Sequence, residues 1–142
     1  LLRPHRGGGL NFDQRFGDYV TFFGRLGWAS GQGLPFDRAL ALGVEIGGSY
    51  WSRGADALGV ASGVNRSSGA FRNGSAQVVD AAGSPVFGFS ARGTELVAEI
   101  YYRLRVHQNF EISPDFQLIR DPAGSSAARP VKLFAIRLQL NQ

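Results

Sequence analysis

The sequence contains no cysteine. That excludes a disulfide framework and any zinc or iron–sulfur centre held by thiolates. Histidine is nearly as scarce. His5 and His107 are far apart, and neither sits at a spacing from carboxylates that suggests a metal site or a Ser/His/Asp set. No metal or other cofactor is expected, and an enzyme is not the expected class. Among 15 basic residues only Lys132 is a lysine, and an arginine-dominated set suits fixed, planar hydrogen bonding. The net charge is +4, but the arginines are interspersed with 11 acidic residues rather than gathered in a run, so nucleic acid is not the expected partner. The opening "RPHRGGG", Arg3 to Gly9, is read as a flexible lead-in rather than an RNA-binding arm. No run of about 18 apolar residues exists, which excludes a membrane-spanning helix. A basic-then-apolar export signal is also missing. Because the chain opens on Leu1, the expectation is that it needs none or that its beginning lies elsewhere.

What is abundant is glycine, 20 residues of 142, about twice ordinary usage. Many of these glycines lie inside apolar alternating runs. A helix tolerates that badly, whereas a curved sheet or barrel uses it for bends and close backbone approach. Reading by period two gives about seven candidate strands: Leu10 to Phe16, Tyr19 to Ala29, Ala39 to Gly48, Asp56 to Asn65, Thr94 to Val106, Phe110 to Arg120, and Val131 to Asn141. The fifth is ambiguous. Leu96, Val97, Ile100, Tyr101 and Leu104 would share a helical face, yet Leu96, Ala98, Ile100, Tyr102 and Leu104 also alternate. Flanking strands and the short polar link His107 to Asn109 make a strand the simpler reading. Pro114 cannot donate to a ladder, and a local bulge is one way a paired strand accommodates it.

The connections alternate. "FGD" at Phe16 to Asp18 and "HQN" at His107 to Asn109 are short, while Ser67 to Gly93 and Asp121 to Pro130 are long and rich in Gly and Ser. The link Tyr50 to Asp56 falls on the short side with medium length. Short turns at one end and long loops at the other are the pattern of outer-membrane barrels. Strands of this length suit a tilted membrane crossing, and Phe16, Tyr19, Trp28, Tyr50, Trp51 and Phe110 near strand ends fit interfacial girdles. In a porin the apolar residues face lipid and the charges line the lumen; in a soluble all-β ligand-binding module the apolar residues converge inside. Alternation within single strands leaves both readings open.

Four stretches resemble the carbohydrate-selective porins of the OprB family: "FGDYVTFFGRLGWASGQ" at Phe16 to Gln32, "YWSRGADALGVASGVN" at Tyr50 to Asn65, "TELVAEIYYRLRVHQNFEISPDFQLIRDPAG" at Thr94 to Gly124, and "VKLFAIRLQL" at Val131 to Leu140. The resemblance implies an all-β fold, an antiparallel up-and-down transmembrane β-barrel of roughly sixteen strands. Residues 1–142 would be the C-terminal part of that single domain, with 1–9 as lead-in and 67–93 as a long extracellular loop. The remaining strands would be required, because open edges are not tolerated in lipid. It further implies a bacterial outer-membrane channel for passive diffusion of small sugars, with membrane lipid outside. On that reading Arg25, Glu45, Glu99, Tyr101, Arg103, Arg105, Asp115 and Arg137 line the pore and contact sugar. Mixed arginines and carboxylates offer paired hydrogen bonds to hydroxyl-rich solutes, and a tyrosine ring can stack on a sugar. Members of the family typically finish on an aromatic residue; this sequence finishes at Asn141 and Gln142.

Overall fold

The computed structural model describes residues 4–31, 33–75, 81–84, 91 and 93–140. Seven strands form one antiparallel sheet in which each pairs with its neighbours in the chain: β1 (Arg6–Phe16), β2 (Val20–Ser30), β3 (Phe36–Gly47), β4 (Ala57–Ser67), β5 (Thr94–His107), β6 (Phe110–Arg120) and β7 (Val131–Leu140). They run from 10 to 14 residues. At about 3.3 Å per residue, that is enough to cross a bilayer core on a tilt. β1 and β7 are the two edges of the sheet.

Thr94–His107 is a strand, so neighbouring strands decide what its ambiguous periodicity could not. The expected flexible lead-in is corrected from Arg6 onward. Arg6 to Gly9 pair with Ser30 to Gly27 as the first part of β1. The glycines are needed there, because a Cβ on Gly8 would lie 2.7 Å from the Trp28 ring that covers it. Pro114 causes no bulge. It pairs with Ile136, and β5–β6 keep one register from Tyr101↔Asp115 to Leu104↔Ile112. The irregularities fall between Phe36 and Arg38, around Asp37, and between Arg105 and His107, beside the turn. The long segment after β4 carries a short helix, α1 (Gly69–Gly74), where only loop was expected. Ser68 caps it, its hydroxyl accepting from the Phe71 N–H at 3.0 Å. Residues 76–80, 85–90 and 92 of that segment, and Asn141 of the expected last strand, lie outside the described residues.

The two ends differ as the sequence pattern suggests. At the long-loop end the three connections are tied to one another: the Ser68 N–H donates to Pro35 O at 2.9 Å, the Gly93 N–H to Gly124 O at 3.0 Å, and the Ala123 N–H to the Glu95 carboxylate at 2.9 Å. At the short-turn end a 3₁₀ turn, Gly48–Trp51, leads to Asp56, which fastens the β3–β4 link onto β5. Asp56 accepts from Arg53, from the Tyr102 hydroxyl at 2.7 Å and from the Arg105 N–H at 2.9 Å, while Trp51 Nε1 donates to the Tyr102 oxygen at 2.8 Å. The Arg53 side chain pulls the Asp56 carboxyl down to about 2 against the opposing effect of burial, with Tyr102 and the Arg105 N–H assisting. Aromatic contacts cluster at this end: Tyr19 with Tyr50 at 5.1 Å, Phe16 with Phe22 at 5.4 Å and Trp51 with Tyr102 at 6.0 Å.

The sheet has no enclosed apolar core. Among the described residues Ala57 and Ala91 alone are buried hydrophobics, while Phe134 is 68% and Leu138 65% exposed. A soluble domain of this length ordinarily buries its large apolar side chains against a second layer.

Candidate functional site

Outside its two bulges the sheet keeps one parity from edge to edge, even-numbered residues pairing with even-numbered and odd with odd. Because successive side chains point to opposite faces, this assigns every paired residue to one of two surfaces. The even face is apolar, carrying Leu10, Phe22, Leu26, Leu42, Val60, Ile100, Phe116, Ile136 and Leu138 among others. The odd face holds Asp13, Glu45, Glu95, Glu99, Glu111 and Asp115 together with Arg15, Arg25, Arg103, Arg105 and Arg137. Asp37, the extra residue of the β3 bulge, is the one strand carboxylate whose face the register leaves unassigned.

All eight residues singled out from the sequence lie on the odd face, drawn from β2 (Arg25), β3 (Glu45), β5 (Glu99, Tyr101, Arg103, Arg105), β6 (Asp115) and β7 (Arg137). Three meet around one carboxylate. Glu45 accepts from the Tyr101 hydroxyl at 2.7 Å and from Arg103 Nη2 at 3.0 Å. Tyr101 and Glu45 are two strands apart, and the contact is possible because Gly59 lies between them in one cross-strand row. A Cβ on Gly59 would sit 2.1 Å from the tyrosine ring, so the ring fills the space where a side chain would otherwise stand.

A depression of about 300 Å³ opens beside this cluster, lined by Arg25, Glu99, Tyr101, Asp115 and Arg137 with Phe23. Its floor is made by Ala41 and Ala61 on β3 and β4, whose small side chains leave the wall recessed between the charged strands. Arg105 belongs elsewhere. Its side chain binds Glu111, with Nε at 2.8 Å from Oε1, next to the Asp56 clamp at the short-turn end. Phe23 was not singled out from the sequence. Its ring covers Gly43, where a Cβ would approach to 2.2 Å, and Arg25 stands over it at 5.9 Å from the ring centre. The signal was present in the alternation, which puts Phe23 with Thr21 and Arg25, apart from Phe22.

The described residues contain no group of His and carboxylate side chains fit to hold a metal. The surface can donate and accept hydrogen bonds from fixed positions, with two rings seated over glycines beside them. The carbohydrate-selective porin, OprB family, matches residues 1–141. The chain belongs to that family. It is a family of bacterial outer-membrane porins, channels rather than enzymes. Among solved structures the chain is similar to Pseudomonas putida OprB at high pH, with 19% sequence identity and a TM-score of 0.68, over 85% of this chain and 30% of that one. The likeness supports a porin-barrel fold, and the chain spans 30% of the length of the porin it matches. No curated protein matches the sequence.

Proposed function

We propose that this chain supplies part of the wall of a water-filled barrel through which small sugars diffuse passively across the outer membrane. The odd face lines the lumen, and the even face meets lipid. The observation that carries the reading is the segregation of carboxylates: every strand carboxylate assigned a face by the register lies on the odd surface, while the large apolar side chains of the other surface stand uncovered. A hydrocarbon environment covers such a surface without a second protein layer. Because the sheet is open at β1 and β7, and unpaired edges are costly in lipid, further strands complete the barrel. The competing reading, a soluble all-β module with an apolar cavity, has no enclosed apolar centre to support it among the described residues.

In the depression, Arg25, Glu99, Asp115 and Arg137 offer donors and acceptors to sugar hydroxyls, while Tyr101 and Phe23 offer flat apolar surface to a pyranose face. Such contacts are exchangeable and bind weakly, which suits passage. Purified complete barrel in liposomes tests this reading. Swelling in isosmotic sugar should exceed that in a zwitterionic solute of equal size. Equal rates would remove the sugar preference, and no swelling at all would remove the channel.

A further inference from the structure

The even face is not wholly apolar, and its exceptions are ordered. Five of the strand cations belong to it: Arg6, Arg38, Arg66, Arg120 and Lys132. Each lies at, or within two residues of, the long-loop end of its strand. All five are exposed, and none of their side chains takes part in an ion pair or hydrogen bond among the described residues. At the short-turn end the same face presents Phe16, Val20, Ile46, Leu58 and Leu140 without a charge. The odd face, by contrast, has six carboxylates against five arginines. The positive balance of the strands therefore resides on the rim of the apolar surface and not on the polar wall.

Two details make this rim more than a solvated fringe. Arg38 and Arg66 are direct cross-strand partners. Like charges so placed, with Cβ atoms about 5 Å apart, repel unless an anion lies between them. The same row runs from Trp28 through Arg38 and Arg66 to Thr94, and a tryptophan at the edge of an apolar band marks the headgroup level.

We propose that this rim is a binding surface for the phosphate groups of anionic lipid headgroups in the leaflet on the long-loop side. Arg38 and Arg66 would form its centre, and Arg6, Arg120 and Lys132 would extend it along the wall. Guanidinium forks match phosphate oxygens in pairs, and a phosphate seated between Arg38 and Arg66 converts their repulsion into two attractions. The proposal rests on the reading of the even face as the lipid side.

The test uses the complete barrel in neutral detergent, titrated with phosphatidic acid or phosphatidylcholine and read by native mass spectrometry. The wild-type protein should retain phosphatidic acid in preference to phosphatidylcholine. Arg38→Gln with Arg66→Gln should weaken that retention roughly tenfold or more, while Arg25→Gln with Arg137→Gln, the same charge loss on the other face, should leave it unchanged. Should the rim double variant fail to assemble, Arg120→Gln alone should cost about fivefold. Undiminished retention by the rim variants overturns the proposal. A nitroxide on Leu138→Cys separates this from failure of the underlying reading. A label open to a water-soluble nickel complex overturns the lipid-face assignment and the headgroup site with it. A label shielded from nickel, with undiminished retention, overturns the headgroup site alone.

Discussion

Tyr101 donates its phenolic hydrogen to Glu45 at 2.7 Å although the two residues lie on strands that are not neighbours in the sheet. The intervening strand offers Gly59, and the ring occupies the space its side chain would need. In an ordinary strand, replacing glycine by alanine is favourable through backbone entropy. Here the sign should reverse. Gly59→Ala should lower stability by about 1–3 kcal/mol by displacing the ring, and it should release Glu45. Gly74→Ala, at the end of α1 with nothing nearby, should change stability by less than about 0.5 kcal/mol. Urea unfolding in lipid vesicles compares the two.

The pairing of Arg103 with Glu45 bears on ion flow. Both groups remain partly open to solvent, so the pair contributes little to stability. Removing the guanidinium should instead leave an uncompensated carboxylate on the wall. Arg103→Ala should change sugar flux and shift the reversal potential in a salt gradient toward cations, with folding nearly intact. Planar-bilayer recordings that match wild type would count against a lumen position for this residue.

Much of this architecture was legible in the sequence, because a membrane wall repeats one instruction. Alternation in "VKLFAIRLQL" or "ALALGVEIGG" sets the strand and its faces together, and parity then carries Glu45, Glu99 and Arg137 to one surface without knowledge of contacts. What escaped depends on pairs of residues remote in sequence. "RGGG" looks like slack chain until Trp28 is laid over Gly8. Pro114 looks like a disruption until its neighbours resume the same register. Phe23 looks like one more apolar residue beside Phe22 until Gly43 gives its ring a seat on the polar side. The Asp56 clamp joins a turn to β5 across some fifty positions of chain, and the rim of cations appears only once five strands are set in register.

Asp56 sets a pH dependence at the short-turn end. Its carboxyl is lowered to about 2 in the folded protein from an ordinary value of 3.8. A depressed carboxylate contributes stability that is fully present above the unfolded value and is lost as pH falls through the folded one. Asp56→Asn should therefore be less stable than wild type at pH 6, and the difference should shrink as pH falls from about 4 toward 2. Asp56→Ala should cost roughly 1–3 kcal/mol at neutral pH by leaving Tyr102 and the Arg105 N–H without their acceptor. A wild-type-minus-variant difference that stays constant from pH 6 to pH 2 would contradict the role assigned to the carboxylate.

Leu138 tests the orientation of the whole wall. It sits near the end of β7, directly opposite Ile112 and 65% exposed, on a face where Phe134 and Ile136 are equally bare. If that face lies in hydrocarbon, an arginine there must drag its charge into a medium that cannot solvate it. The cost depends on depth, from about 2–4 kcal/mol at the midplane to roughly 0–1 kcal/mol at the interface. Leu138→Arg should thus impair assembly, and Ile136→Arg, one step further from the strand end, should impair it more. Gln139→Arg, adjacent in sequence but on the odd face, should assemble as wild type does. The contrast between neighbours distinguishes a lipid surface from a general intolerance of charge in β7. Heat-modifiable migration in gels, which separates folded barrel from unfolded chain, reads all three variants. Equal folding of Ile136→Arg and Gln139→Arg would mean that the bare apolar surface faces something other than lipid.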